Sequence, residues 1–139
     1  MVISPLGIVA TSQTLASQVG AQILAEGGTA MDAAIAANAV MGVVEPMSCG
    51  IGGDIFVIYR DGKTGKFTGL NSSGWAPKTL TIDALKKKGH RSMPQEDIDS
   101  VTVPGCVAGW QVLHRKFGKL PWRKLFEPSI YFSEQGFPV

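Results

Sequence analysis

Residues 30–44 are fifteen positions of almost unbroken apolar side chain, interrupted by Asp32 near the start and Asn38 in the middle. A helix that is apolar nearly all round has no face for water, so other elements must cover it on several sides. The signals at its ends agree. Thr29 with Asp32 three residues on resembles a variant capping box. Pro46 closes the segment, because proline cannot continue helical hydrogen bonding and restricts Glu45 before it. The run stops too soon to cross a membrane, and no stretch of about 18 apolar residues occurs anywhere in the chain. A helix that must be buried but cannot enter lipid calls for a layered globular body.

The flanking sequence supplies candidate layers. Residues 8–11 are a short apolar run that reads as a strand. Leu15, Val19, Ile23 and Leu24 then recur at helical spacing until Gly27-Gly28 stops the pattern. Residues 55–60 and 66–71, separated by Asp61-Gly62-Lys63-Thr64-Gly65, carry a hairpin signal. Ile55-Phe56-Val57-Ile58 is continuously apolar instead of alternating, the pattern of a strand covered on both faces, so layers are expected on both sides. Residues 72–78 are irregular, and 81–88 form a short helix ended by Gly89. Residues 90–100 read as an exposed polar loop carrying Arg91, Glu96, Asp97 and Asp99. A short strand is expected at 101–103, then a Pro104-Gly105 turn and a helix over 107–117. The segment 121–135 is helical again, split by Pro128 and ended by Gly136. No repeat or linker breaks the series. Residues 1–139 therefore read as a single partial domain of α/β class with layered α+β organisation.

Composition removes several classes of function. Thirteen Lys and Arg against eleven Asp and Glu give a net charge of +2, too small and too scattered for nucleic-acid binding or a polybasic membrane surface. Residues 1–6 have no basic region and no long apolar core, so they do not read as a signal peptide. With only Cys49 and Cys106, there is neither a disulfide framework nor a zinc spacing, and a cytoplasmic location is the expectation. No metal or cofactor is expected. Glycine is abundant, 17 of 139 residues against a usual ~7%. It clusters at junctions, as tight turns or close backbone approach would require.

Several residues are candidates for chemistry. Gly50-Ile51-Gly52-Gly53 follows a helix and opens a strand, the reverse of a dinucleotide-binding turn, and lacks the last glycine of that fingerprint. It is either a tight turn or a loop lining a site. Asp54 beside it would orient a substrate amine or satisfy the N–H groups of the turn. Gly69-Leu70-Asn71-Ser72-Ser73-Gly74 misses the nucleophile elbow, since no serine in it has glycine two residues away on both sides. Asn71, Ser72 and Ser73 at the strand end would hydrogen-bond a substrate or their own backbone. Trp75, in an otherwise polar loop, is the tryptophan best placed to line a pocket, whereas Trp110 and Trp122 read as packing residues. His90 and His114 have no carboxylate or cysteine at ligand or base spacing and read as surface histidines. Cys49 and Cys106 read as small buried hydrophobes. No complete catalytic set emerges from these residues alone.

A longer pattern carries more. The stretch from Gly20 through Gly27-Gly28-Thr29-Ala30-Met31-Asp32 to Ala34 is followed in order by Glu45-Pro46, Gly50-Ile51-Gly52-Gly53, Ala76-Pro77 and Val103-Pro104-Gly105-Cys106-Val107-Ala108-Gly109. Phe117-Gly118 and Glu134-Gln135-Gly136-Phe137 complete it. In register over nearly the whole chain, these segments resemble the start of the gamma-glutamyltranspeptidase family. The resemblance implies part of an αββα N-terminal nucleophile hydrolase sandwich, made as a precursor that cuts itself into large and small subunits. Amide hydrolysis or acyl transfer on gamma-glutamyl or related amides is the implied chemistry, within glutathione metabolism. The family's nucleophile is the threonine that opens the small subunit, activated by its own α-amine. No threonine here matches it, so no catalytic residue is assigned to this chain. The chain is then expected to be a fragment or one piece of an assembly, partnered by the small subunit.

The same resemblance bears on specificity. Its gamma-glutamyl enzymes hold the substrate's α-carboxylate with an arginine shortly before the Ala-Pro pair, a task suited to a bidentate guanidinium. Ser73 stands there in this sequence, followed by Gly74 and Trp75. The loop is thus similar to a divergent branch that includes cephalosporin-acylase-like proteins, and Ser72, Ser73 and Trp75 are the implied substrate-binding residues. Two competing functions remain. One is a non-catalytic scaffold or binding module that reuses this part of the fold. The other is a self-contained hydrolase using Cys49 or Cys106, which lacks a base at triad spacing. If a second part is missing, the strand at 55–59 loses a covering layer, and aggregation or homo-oligomerisation is the expectation.

Overall fold

The computed structural model describes residues 3–138. Met1 and Val2, part of the segment read for a signal peptide, lie outside the described residues, as does Val139. The chain forms two compact units. One is the chain up to Ile51 together with the chain from Trp110 onward, and the other is Gly52–Gly109.

The first unit is helical. Helix α1 (Thr14–Ala25) starts where the Gln13 side chain accepts the Leu15 N–H at 2.6 Å. It ends in a Schellman turn: Gly28 N–H reaches Ile23 O and Gly27 N–H reaches Leu24 O, each at 3.0 Å. Gly27 makes the reversal with φ +84°, a conformation side chains with a Cβ resist. Helix α2 (Ala30–Val44) follows at once, with ten of its fifteen residues buried, as its all-round apolar sequence requires. It packs against α1, the 3-10 helix Trp122–Phe126 and helix α5 (Glu127–Gln135). Pro128 sits in the first turn of α5, where its missing N–H costs nothing. The one polar group in the middle of α2, Asn38, is satisfied by the Trp110 indole N–H at 2.9 Å.

Residues 8–11 are not a strand. No strand lies beside them among the described residues to accept their hydrogen bonds, and Val9 packs instead on Gly20 of α1. A Cβ at Gly20 would stand 2.7 Å from Val9 Cγ1.

Asp32 holds the start of α2. Fully buried, it closes the capping box with Thr29 and also accepts the backbone N–H of Lys119, at 3.0 Å to Oδ2, and of Leu120, at 3.3 Å. The Thr29 hydroxyl donates in turn to Phe117 O at 2.9 Å. His114 belongs to this cluster and is not a surface histidine. Its side chain is 19% exposed, with Nε2 2.8 Å from Leu120 O and 3.8 Å from Asp32 Oδ1, and its ring packs on Trp122. Sequence spacing could not show this, because the carboxylate comes from a helix far upstream.

The second unit is built on an antiparallel hairpin of β1 (Ile55–Arg60) and β2 (Phe67–Ser72), with Ile55 opposite Ser72 and Arg60 opposite Phe67. The Asp61 carboxylate organises its loop, accepting Thr64 N–H at 2.7 Å and Lys63 N–H at 3.0 Å. Ile55, Val57 and Tyr59 share the half-buried face with Thr68, Leu70 and Ser72. The opposite face is open, with Phe56 67%, Ile58 83% and Phe67 64% exposed. The expectation of cover on both faces is therefore corrected: within this chain one face is covered and the apolar residues of the other meet water. Helix α3 (Ile82–Lys87) is capped by Thr81 and reversed at Gly89. The polar loop after it contains a 3-10 turn, Ile98–Ser100, and Lys88 pairs with Asp99 at 2.6 Å. Residues 101–103 are extended without a ladder, so the expected strand is absent; Val103 N–H makes a single bond to Trp75 O. Helix α4 (Cys106–Phe117) starts in this unit and continues in the first.

The substitution Asp32→Ala strands the backbone N–H groups of Thr29, Lys119 and Leu120. Urea unfolding followed by Trp110 and Trp122 fluorescence should show a loss of about 3 kcal/mol.

Candidate functional site

Three segments of the second unit converge at the open end of the hairpin: 53–54 before β1, 72–75 after β2, and 102–106 leading into α4. Glycine makes the convergence possible. A Cβ built at Gly74 would fall on the carbonyl of Val103, and one at Gly105 on the carbonyl of Ser72. At Gly109, in the first turns of α4, a Cβ would come within 2.5 Å of Ile55 Cγ2 and 2.9 Å of Ser72 Cβ. Backbone thus lies on backbone where the sequence offers Ser73-Gly74 and Pro104-Gly105.

Hydrogen bonds fix the junction. Gly53 O accepts the N–H groups of Gly105 at 3.1 Å and Cys106 at 3.0 Å, satisfying donors that the start of α4 would otherwise leave unpaired. Asp54 gathers the other two segments: Oδ1 accepts Gly74 N–H at 3.1 Å and the Thr102 hydroxyl at 2.9 Å, while Oδ2 accepts the Ser73 hydroxyl at 3.1 Å. The Gly74 N–H first, then the Thr102 hydroxyl, and last the Ser73 hydroxyl hold the Asp54 carboxyl below the usual carboxylate range, against an opposing desolvation. Because the folded pKa is the lower one, these contacts stabilise fully above the ordinary carboxylate range and are lost as pH falls through the depressed value.

The residues singled out in the sequence divide by direction. Ser72 is half-buried, and its hydroxyl donates to Gly105 O at 2.8 Å, so its proton is committed to the backbone. Ser73 is exposed; its N–H donates to Asn71 Oδ1 at 2.9 Å and its hydroxyl faces Asp54. Trp75 is 86% exposed beside them, its carbonyl holding Val103 N–H. Ser73 and Asp54 therefore share an exposed polar wall with Trp75 exposed two residues further on, while the Ser72 hydroxyl is turned to the backbone. Thr102 was not legible as a member, since its link to Asp54 spans a long sequence separation and leaves no local signal. Gly50 and Gly52 are open: Cβ atoms added there would meet nothing within 4 Å.

Other candidates stand apart from this wall. Cys49 and Cys106 form no disulfide; Cys49 is half-buried, and Cys106, the first residue of α4, is 3% exposed. His90 Nε2 is 4.0 Å from Asp99, whose carboxylate is already held by Lys88. No group of His, Cys, Asp or Glu side chains suited to a metal occurs among the described residues.

The family model for gamma-glutamyltranspeptidase matches residues 16–139. The chain belongs to that family. It is 38% identical over 137 residues to a glutathione hydrolase proenzyme of Bacillus subtilis, covering 96% of this chain and 23% of that protein. Among solved structures, the gamma-glutamyltranspeptidase of Helicobacter pylori matches with TM-score 0.89 and 30% identity, over 100% of this chain and 40% of that one. The cephalosporin acylase of Bacillus halodurans matches with TM-score 0.82 and 41% identity, over 99% of this chain and 27% of that one. The α/β class is thus that of solved gamma-glutamyltranspeptidases, and the chain spans about a quarter of the length of the glutathione hydrolase.

In this gamma-glutamyltranspeptidase-family chain the close approach at Gly74 is the least forgiving feature of the junction. Gly74→Ala forces the 72–75 strap off residue 103 and should cost about 2–3 kcal/mol in urea unfolding. The same change at Gly62, where an added Cβ meets open space, should cost far less.

Proposed function

We propose that this chain is the front of the large subunit of a gamma-glutamyltranspeptidase-type amidohydrolase or acyltransferase, with the nucleophile on a small subunit. The open sheet face is the observation that carries this reading. Phe56, Ile58 and Phe67 stand exposed on one side of a two-stranded hairpin, an arrangement unstable in water and natural for one layer of a larger sandwich. A second sheet laid on that face would complete the αββα body.

In this reading the chain supplies scaffold and one wall of the pocket. Ser73 and Trp75 on the outward wall contact the acyl part of a small-molecule amide, and Ser72 holds the wall in place through Gly105. The small subunit, released by autoprocessing, brings the threonine whose own amine activates its hydroxyl, together with donors for the oxyanion. No cofactor or metal enters the reaction, and the setting is cytoplasmic.

Co-expression of this chain with the downstream part of its gene tests the reading. A stoichiometric complex should form and cleave a gamma-glutamyl anilide or a glutaryl amide, with neither part active alone. Turnover by this chain alone, or failure of the two parts to associate, would contradict it.

A further inference from the structure

The wall at the hairpin end carries a charge that no cation among the described residues pairs with. The Asp54 carboxylate is exposed and receives hydrogen bonds only from neutral donors, Gly74 N–H and the hydroxyls of Thr102 and Ser73. Among the described residues, no lysine, arginine or histidine nitrogen pairs with it within 4.0 Å. The Asp61 carboxylate, by comparison, serves only its own hairpin loop. Asp54 is instead fixed at the meeting point of three segments, so its charge cannot swing away from what approaches. Trp75, 86% exposed on the same strap, adds an aromatic surface of the kind that favours cations.

We infer that Asp54 is a specificity-determining residue of the proposed amidohydrolase, selecting amides whose acyl group ends in an ammonium or a neutral group over those ending in a carboxylate. This rests on the amidohydrolase reading and sharpens it. A fixed anion on the wall that the amidohydrolase reading assigns to the acyl group repels a second carboxylate and attracts a cation, and a wall of neutral hydroxyls offers the first no counter-ion. Loss of solvent on binding strengthens both effects, because charge interactions grow as the local dielectric falls. The hydrogen bonds to Ser73 and Gly74 also make Asp54 the element that keeps the strap in position. A merely structural Asp54 would do only that.

The two roles separate in Asp54→Asn, which has the same shape, keeps an oxygen to accept from Gly74 and Thr102, and removes the charge. The full-length protein and this variant are assayed on three para-nitroanilides of similar length: glutaryl, ending in carboxylate; pentanoyl, ending in methyl; and delta-aminopentanoyl, ending in ammonium. The wild type should prefer the ammonium-ended amide over the glutaryl one by about tenfold or more in kcat/KM, and the variant should bring the two within about threefold. A structural role alone would lower all three rates together and leave the ratio unchanged. Equal or better cleavage of the glutaryl amide by the wild type, or an unchanged ratio in the variant, overturns the inference and leaves the amidohydrolase reading standing. If the wild type cleaves none of the three and no gamma-glutamyl anilide either, the amidohydrolase reading itself fails and takes this inference with it.

Discussion

A two-stranded sheet has two faces, and this chain covers only one of them. Alternation along β1 sends Ile55, Val57 and Tyr59 one way and Phe56, Ile58 and Arg60 the other, and the first set is half-buried while Phe56 and Ile58 meet water. Hairpins of this size are marginal in water without a third strand or a packed layer. The covered face has its layer: Gly109 in the first turns of α4 lets that helix approach Ile55 and Ser72 closely. Among the described residues the other face has none. The end of the sheet where β1 begins and β2 finishes is also where the polar wall is assembled, so the element that lacks a layer is the one that positions Asp54, Ser73 and Trp75.

The helical unit solves a different problem. Helix α2 gives up almost every polar position, and what remains polar must be answered inside. Asn38 is met by the Trp110 indole, and Asp32 by the backbone N–H groups of Thr29, Lys119 and Leu120. A buried carboxylate tolerates this site because it accepts several backbone N–H groups that a helix start and a turn would otherwise leave unpaired. The cost of removing it is correspondingly large.

Much of this was legible in the sequence where the signal was local. Periodicity and punctuation gave α1, α2 and the hairpin: the Gly27-Gly28 stop is a Schellman turn, Thr29 and Asp32 form a true capping box, and Pro128 opens α5. The failures share a cause. Residues 8–11 and 101–103 have strand-like composition, yet a strand exists only with a partner, and no such partner lies beside them among the described residues. Ile55-Phe56-Val57-Ile58 does look like a strand covered on both sides, and that pattern is consistent with a layer outside this chain. Nothing local marks the roles of His114 and Thr102, because their partners, Asp32 and Asp54, lie far away in sequence and meet them only through the fold. At the site, the serines at 72–73 were visible from their place at a strand end. That one faces in and the other out followed only from the register, which pairs Ser72 with Ile55.

The central claim is that the exposed face of the hairpin is built to be covered. Multi-angle light scattering of this chain over a concentration series tests it most directly, alongside a variant carrying Phe56→Lys and Ile58→Lys. Both residues are exposed, so the changes leave the buried face untouched. The wild-type chain should associate as concentration rises, and the double variant should shift toward the monomer mass. A wild-type chain that stays a monodisperse monomer across the series, indistinguishable from the variant, would contradict it.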